Sequence, residues 1–398
     1  MLALEMLAIA LTSITLVSGQ QPVSGKEFLM EETTISGEYL KAPRIDSQSQ
    51  REGKFFPLFS VVRFANNECS GSNNFQGTCF TANECKNYGG TSYGTCAGNL
   101  GVCCVFRKSC GTTTNMNNTY FVNPDYPMTY SGGETCTLEV FRCNSDICQL
   151  RIDFLDLSLA QPNANGVCDQ DFLLISRGST TVPRICGENS NQHVYVDFNG
   201  ANSISVSLVT NSDFSMARRW NLRIQQIACD SPWRAPLSCL QYYKTIDGTV
   251  SSFNYGTVSN PRVLAMLGST MGTRQMQNLN YGVCVRMAAG YCTIEWSQSD
   301  SLSFAISGDT GVLDPTAGTD FAVSGMDCDH NFVVIPNPSV SGVPVNVDRF
   351  CGNGFVTTTS SSKPFVMYVV TNPGAASAAN DFENRGFILK YRQIPCSL

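Results

Sequence analysis

Nineteen cysteines are spread unevenly along this 398-residue chain. Six of them fall between Cys69 and Cys104, where glycine and asparagine fill the gaps and few apolar residues remain for a core. Such a segment keeps its shape only if disulfides restrict the unfolded chain, at roughly 2–4 kcal/mol for each bond. The sequence does not choose among the pairings open to these six, which are Cys69, Cys79, Cys85, Cys96, Cys103 and Cys104.

The N-terminus predicts secretion into a compartment where cysteines pair. Residues 1–19 read as a signal peptide, with an apolar stretch over Met6–Val17 and small residues at Val17 and Gly19 before a cut at Gln20. The alternative is a single membrane anchor, but this stretch is shorter than the ~20 residues that a membrane span needs. We therefore expect a secreted, extracellular protein with no membrane span and with paired cysteines.

The charge and histidine content exclude several classes of function. The chain has 26 Lys and Arg against 32 Asp and Glu, which gives a net charge of −6, and it contains no block of basic residues. We therefore expect no nucleic-acid partner. There are 2 histidines, His193 and His330, which disfavours histidine-based metal sites and repeated histidine chemistry.

The residue composition and the hydrophobic pattern change along the chain. Residues 20–54 are polar and without hydrophobic period, which predicts a disordered leader. Residues 55–106 form the disulfide-rich module, whose first part, Phe55–Phe64, is apolar and predicts a short strand that docks on a neighbouring domain. From Cys110 onward apolar and polar residues alternate, as at Trp220, Leu222 and Ile224, and no segment shows a helical stripe. This pattern predicts an all-β, sandwich-type fold.

The β-rich part of the chain contains an internal repeat. Three segments recur in the same order and with similar offsets, which makes chance agreement an unsatisfactory explanation. We therefore expect two copies of one β domain, at residues 110–229 and 239–396, joined by the short linker Asp230–Pro236. The matching segments are Cys168–Ile175 with Cys328–Ile335, Ile185–Gly187 with Phe350–Gly352, and Arg218–Cys229 with Arg385–Cys396.

The repeated unit resembles the CUB domain, an extracellular antiparallel β-sandwich of jelly-roll type. The resemblance implies two CUB-type sandwiches preceded by a small disulfide-rich module. Residues Cys239–Tyr243 and Ser252–Tyr255 are similar to secreted two-CUB proteins of arthropods, and the Cys69–Cys104 spacing is similar to the clip domains of arthropod serine proteases. The residues that carry the CUB resemblance are Cys110, Gly111, Asn123–Pro127, Cys136, Leu150–Phe154, Cys168, Asp171, Ile185–Gly187, Cys328, Cys351, Gly352 and Asn384–Phe387.

Part of the disulfide pattern follows from this resemblance. It implies Cys168–Cys186 and Cys328–Cys351 bonds, while Cys143 with Cys148 and Cys284 with Cys292 flank short turns that we also expect to be bridged. The odd cysteine count leaves at least one thiol unpaired. In one scheme Cys110 bonds Cys136, as in typical CUB domains, and Cys229 or a cysteine neighbouring the linker is left over. In the other, Cys110–Cys229 mirrors Cys239–Cys396, and the leftover lies among Cys136, Cys143 and Cys148. We favour the first, with a disulfide-linked dimer as one fate of the thiol.

No catalytic set is recognisable. A trypsin-like site needs a serine, a histidine base and an aspartate that orients it. The segment Ser307–Gly311 is similar to a serine-protease nucleophile loop, but Thr310 stands where the serine belongs. Ser92 fits G-x-S-x-G formally, yet it lies inside the cysteine-rich segment. We therefore expect no catalytic residues and no enzymatic activity.

The sequence contains one candidate metal site and one candidate glycosylation site. Some CUB domains bind Ca²⁺ through a glutamate and two aspartates, and Asp171 matches one position while Ala160 stands at the glutamate position. The last aspartate falls on Asn211, or on Asp213 after a one-residue shift, so we expect no cofactor beyond an incomplete Ca²⁺ site at Asp171 and Asp213. Asn117 begins the N-x-[ST] sequon of the chain and is a candidate for glycosylation.

The leading functional hypothesis is a non-enzymatic extracellular protein that binds other proteins or glycans through its CUB copies, because rigid sandwiches present loops as recognition surfaces. One alternative, based on the clip-like segment, is a non-catalytic regulator or cofactor of an extracellular serine-protease cascade. A second alternative is a structural component of the extracellular matrix.

Overall fold

The computed structural model describes residues 64–212, 216–258, 260–262, 273–306, 321–373 and 384–396. The expected signal peptide, the leader and nearly all of the apolar Phe55–Phe64 stretch lie outside these ranges. Residues 66–398 form one compact unit, which comprises an N-terminal module and two β-sandwiches.

The N-terminal module is a small sheet held by three disulfides. Its elements are β1 (Glu68–Ser70), β2 (Gln76–Phe80), α1 (Ala82–Asn87), β3 (Thr91–Cys96) and β4 (Gly101–Lys108). Helix α1 begins with a capping box, in which Thr81 accepts from the backbone of Glu84 and the Glu84 carboxylate accepts from the backbone of Thr81. The disulfides are Cys69–Cys103, Cys79–Cys96 and Cys85–Cys104.

This module is joined to the first sandwich by a strand pair. Strand β4 lies parallel to β6 (Thr119–Val122), with Phe106 opposite Thr119. The Tyr120 hydroxyl donates to the Gln76 carbonyl (3.1 Å) and accepts from the Gln76 amide (2.9 Å). The N-terminal module therefore extends a sheet of the first sandwich rather than forming a separate domain.

The first sandwich packs two sheets against each other. One sheet has the order β6-β12-β8-β10 and the other β5-β7-β11-β9. The turn from β10 to β11 has Asn199 and Gly200 at φ 37° and 88°, the left-handed region that this dipeptide tolerates. The strands are β5 (Thr112–Thr114), β6, β7 (Thr135–Phe141), β8 (Ile147–Ser158), β9 (Phe172–Ser176), β10 (Gln192–Asp197), β11 (Ser203–Val209) and β12 (Arg219–Ala228).

The second sandwich repeats this plan in a looser form. One described sheet has the order β13-β15-β24-β19-β22-β18, and the other β14-β25-β16-β23-β20-β21 with β17 beside β25. The strands are β13 (Cys239–Tyr243), β14 (Asp247–Ser251), β15 (Asn280–Val285), β16 (Tyr291–Gln298), β17 (Phe304–Ala305), β18 (Phe321–Ser324), β19 (Asn331–Val334), β20 (Pro338–Val340), β21 (Val343–Pro344), β22 (Arg349–Asn353), β23 (Thr358–Ser360), β24 (Phe365–Thr371) and β25 (Gly386–Pro395).

Equivalent glutamines show how closely the two copies correspond. The Gln226 side chain donates to the Asn115 and Phe141 carbonyls and accepts from the Cys143 amide (2.8 Å). In the second copy the Gln393 side chain donates to two carbonyls in the same way and accepts from the Ala288 amide (2.9 Å). Cys143 therefore occupies the position of Ala288.

The disulfides follow the repeat, and they correct part of the sequence-based pattern. The first copy contains Cys110–Cys136, Cys148–Cys229 and Cys168–Cys186, and the second contains Cys239–Cys284, Cys292–Cys396 and Cys328–Cys351. The expected Cys143–Cys148 and Cys284–Cys292 bridges are wrong. Cys148 and Cys292 instead bond the cysteines that end their sandwiches, Cys229 and Cys396, and Cys284 bonds Cys239. Cys229 is bonded, and Cys143 is the exposed free cysteine of the described chain. The second copy has an alanine, Ala288, at the position of Cys143.

The cores of the two sandwiches join into one apolar cluster. Trp220 of the first copy and Trp296 of the second are fully buried members of it. Phe154 and Phe253 meet across the boundary with ring centres 6.5 Å apart, and Phe253 packs on Tyr281 at 5.0 Å. Burial of this much apolar surface between the copies opposes their separation.

A hydrogen-bonded seam lies beside this cluster, and Asn254 is its centre. The Asn254 side chain is fully buried, donates to Gln161 Oε1 (2.8 Å) and the Arg274 carbonyl (2.7 Å), and accepts from the Glu188 amide (2.9 Å). A Cβ atom on Gly187, whose φ is +80°, would lie 2.1 Å from Asn254 Oδ1. Only glycine lets the two copies approach this closely.

Replacing Asn254 should destabilise the pair of sandwiches. Asn254→Ala strands several buried polar groups without partners, at about 1–3 kcal/mol each, so we expect the free energy of unfolding to fall by about 3 kcal/mol or more. Urea unfolding measures this loss. The exposed Asn280 provides the matched control, and an equal loss in Asn280→Ala would contradict the interpretation.

Substitution of Cys229 and substitution of Cys143 should change the free energy of unfolding by different amounts. Cys229→Ser removes the Cys148–Cys229 bond and should lower stability by about 2–5 kcal/mol and reduce secretion. Cys143→Ser should leave stability within about 0.5 kcal/mol of wild type, because the side chain is exposed and unbonded. Thermal unfolding of both variants distinguishes this pairing from one that leaves Cys229 free.

Candidate functional site

The expected Ca²⁺ position contains a buried ion pair. Asp171 and Arg218 have side chains with no solvent exposure, and Arg218 makes a two-pronged contact, with Nε to Oδ2 at 2.8 Å and Nη2 to Oδ1 at 3.0 Å. The Asp171 carboxylate also accepts from the amides of Ala160 (3.0 Å) and Asn211 (3.2 Å). Both oxygens therefore have two donors each.

This geometry changes the role expected for Asp171. A guanidinium supplies the positive charge that a cation would bring, and the residues aligned with other Ca²⁺ ligands, Ala160 and Asn211, contribute backbone N–H donors rather than oxygens. Asp171 acts here as a structural partner of Arg218. Asp213 lies outside the described residues, and within the described ranges no three acidic, histidine or cysteine side chains are grouped to hold a metal ion.

Breaking this ion pair should be costly. Asp171→Ala removes the carboxylate that faces the buried Arg218 guanidinium, for which we expect a loss of about 3–5 kcal/mol in the free energy of unfolding. Asp156→Ala is the matched control, since its partner Arg219 is largely exposed and such pairs contribute about 0–1 kcal/mol. We also expect millimolar Ca²⁺ to leave the melting temperature unchanged. A Ca²⁺-dependent rise that Asp171→Ala abolishes would restore the metal-site interpretation.

Among the described residues, neither histidine bonds the candidate nucleophile Ser92. His193 is buried between the copies, where Nε2 accepts from the Tyr242 amide (3.0 Å), and His330 is exposed beside Asp329 (2.6 Å). The Ser92 hydroxyl lies on β3, reaches the Gly94 carbonyl at 3.5 Å and bonds neither histidine. Thr310 lies outside the described residues.

His193 makes the seam sensitive to acid. Burial, together with the nearby positive charge of Arg151, lowers its pKa from 6.5 to about 4. The unfolded chain therefore binds a proton between about pH 6.5 and 4 that the folded chain does not. The contribution of neutral His193 to the free energy of unfolding should be fully present above pH 6.5. It should fall by about 1.4 kcal/mol per pH unit on acidification through this window.

Urea midpoints measured from pH 7 to 4 test this prediction. His193→Gln should remove this part of the slope, whatever its effect on stability at pH 7. His330→Gln should retain it, because His330 is exposed. An unchanged slope in His193→Gln would show that another group is responsible.

A groove lies where the N-terminal module, both copies and the linker meet. Its volume is about 500 Å³, within the range of ligand-binding clefts. Contributing residues come from positions as far apart as Glu68 and Lys244 in the sequence. The lining residues are Glu68, Asn117, Arg223, Gln225, Gln226, Ile227, Ala228, Ser231, Trp233 and Lys244.

The exposed aromatic ring of Trp233 lies beside two cations, of which Lys244 lines the groove and Arg286 adjoins it. Trp233 is 52% exposed, and Lys244 Nζ lies 4.5 Å from its ring centre, while the Arg286 guanidinium lies 5.6 Å from the same centre. Burial lowers the pKa of Lys244 to about 8, and Arg151 and Arg286 contribute by repulsion. The arrangement can bind an anionic group through charge and an apolar group through the ring.

The sequon residue Asn117 lies at this groove. Its Oδ1 accepts from the Gln226 amide (2.8 Å) and the Asn118 amide (2.9 Å), and Thr119 is buried at the start of β6. Glycosylation of Asn117 stays a prediction, and a glycan there would lie at the groove.

Sequence reasoning missed the groove because its residues become neighbours only when the three modules assemble. One signal was available: a tryptophan in a short linker beside Ser231 and Arg234 is unusual for a segment that only spaces two domains. Its binding partners Lys244 and Arg286 carried no such signal, since isolated basic residues are common on surfaces.

Family comparisons agree with this architecture. Residues 110–222 match the CUB domain model, and residues 236–394 match the animal CUB domain model. The chain therefore contains two CUB domains behind a disulfide-rich N-terminal region. CUB domains are generally extracellular protein-interaction modules and are not themselves catalytic. Among the described residues no helix is both long and apolar enough to span a membrane.

Solved structures that resemble the chain include CUB1-EGF-CUB2 fragments of MASP proteins. The rat MASP-1 fragment has 13% identity and a TM-score of 0.25, with 71% of this chain and 99% of that chain covered. The human MASP-1/3 fragment has 13% identity and a TM-score of 0.23, covering 69% of this chain and 98% of that chain. No curated protein sequence matches the chain.

Proposed function

We propose that the protein is a secreted, non-enzymatic binding protein that recognises other extracellular proteins through a composite surface of its two CUB domains. The observation that carries this proposal is the fixed arrangement of the copies, which share one apolar cluster and the Asn254 seam. A rigid pair presents loops and grooves from both copies without an ordering cost on binding. The CUB family and the many disulfides support the extracellular location.

Matched glycine variants test whether the fixed arrangement matters. Gly187 and Gly200 both have positive φ, but Gly187 faces Asn254 while Gly200 has no heavy atom within 4 Å of an added Cβ. Gly187→Asn should therefore separate or shift the copies, and Gly200→Asn should not, because asparagine tolerates this backbone region.

In the experiment, the biotinylated full-length protein is crosslinked to its partners in extracellular fluid of its source, and the partners are identified. Each partner is then purified, and its binding to the protein is measured again. We expect Gly187→Asn to weaken their affinity at least about tenfold and Gly200→Asn to leave it unchanged. Equal affinity for Gly187→Asn would show that one copy suffices and would refute the composite surface. Absence of any purified partner for the wild type would refute the binding function.

A second candidate is a non-catalytic regulator of an extracellular protease cascade. The clip-like cysteine spacing of the N-terminal module supports this candidate. The same module is built into the sheet of the first CUB domain. A change in the rate of zymogen activation when purified protein is added to a reconstituted cascade would favour this candidate. An unchanged rate with intact partner binding would leave the general binding function.

A further inference from the structure

The groove at Trp233 carries more positive than negative charge among the residues that the structure describes. Most basic residues near it have acidic partners: Arg151 and Arg223 both contact Asp153, each at 2.7 Å, and share its single carboxylate. Burial raises the pKa of Asp153, but the two arginines outweigh it and hold the pKa below its ordinary value. One negative charge thus serves two cations on this side of the groove.

Lys244 and Arg286 have no such partner. Neither side chain forms an ion pair with a described residue, although both lie within 6 Å of the Trp233 ring centre. Lys244 also lies 5.8 Å from the Tyr195 ring centre, so its ammonium is partly withdrawn from water among aromatic faces. Holding a half-buried ammonium beside Arg286 without a counter-charge is unfavourable in the free protein.

We propose that this groove binds an acidic segment of a partner protein, with Lys244 and Arg286 pairing with its carboxylates and Trp233 packing against its apolar atoms. The inference rests on the proposed function and assigns to it a site and a partner chemistry. A carboxylate would supply the missing counter-charge in a partly desolvated setting, where charge pairs are stronger than at an open surface.

The composition of the groove favours a peptide over a sulfated polysaccharide. A long polyanion gains affinity by contacting many cations along a basic stripe. The described cations around this groove are few and Glu68 lies among them, so a short acidic segment can engage them, whereas a long polyanion finds no continuous basic stripe. The Gln225 side chain adds an amide group, which suits the backbone of an extended peptide.

The protonation of Lys244 gives the site a pH dependence. The charged and titratable groups near Lys244 are Arg151, Asp153, His193, Arg286, the Tyr195 and Tyr242 hydroxyls, and Glu68 and Arg223 in the groove lining. Since the Lys244 pKa is about 8 in the free protein, a bound carboxylate should raise it and be favoured by the protonated form. Affinity should therefore decrease as the pH rises from 7 to 9, and Lys244→Met should lose that dependence.

Fluorescence anisotropy with a labelled tri-glutamate peptide tests the proposal on the full-length protein after enzymatic removal of any N-glycan. The uncharged tri-glutamine peptide should bind at least about tenfold more weakly. Lys244→Met and Arg286→Gln should each weaken tri-glutamate binding at least about fivefold, while Lys390→Met, at an exposed lysine on β25, should change it less than about twofold. Trp220 and Trp296 are fully buried, so a change in tryptophan emission reports Trp233.

The absence of tri-glutamate binding would overturn the proposal, and so would three comparisons of affinity. They are equal affinity for the two peptides, equal loss in Lys390→Met and Lys244→Met, and tighter binding of a heparin tetrasaccharide than of tri-glutamate with Lys244→Met weakening both. If tri-glutamate does not bind but purified partners still do, the groove assignment fails and the binding function remains. If tri-glutamate binds and no partner is found, the site remains and the CUB-mediated function fails.

Discussion

The contact between Gly187 and Asn254 determines how the rest of the molecule is arranged. One buried amide satisfies hydrogen-bonding groups from both CUB copies, and only a residue without a side chain can lie opposite it. Because the seam is fixed, the neighbouring apolar clusters can merge, and the linker is held in one place. The groove at Trp233 exists only as a result, since its walls belong to different modules.

The same packing gives polar residues on β8 and β10 a role that an isolated sandwich would not need. Gln149 forms two hydrogen bonds with the backbone of Ala235 in the linker, at 2.8 and 3.1 Å. His193 bonds the backbone of Tyr242 on β13. A face that would be exposed in a lone domain has become an interior surface, and its buried polar groups are satisfied through the second copy.

Much of the architecture could be predicted from the sequence, because alternation and repeat both report on cores. Trp220, Leu222 and Ile224 are fully buried as their alternation indicates. Helix α1 was missed because six residues are too few for a stripe, although Thr81 and Glu84 carry a capping-box signal. The contacts of Asp171 could not be foreseen, since local sequence does not reveal that Arg218, 47 residues later, enters the same site.

The parallel pairing of β4 with β6 limits how the protein can be divided. A fragment that begins at Cys110 would expose the backbone of β6 as an unprotected edge, and the N-terminal module alone would expose β4 in the same way. Such edges recruit other strands and promote aggregation. Although the sequence looks like three modules in series, its first two share one continuous sheet, and a cut between them divides that sheet.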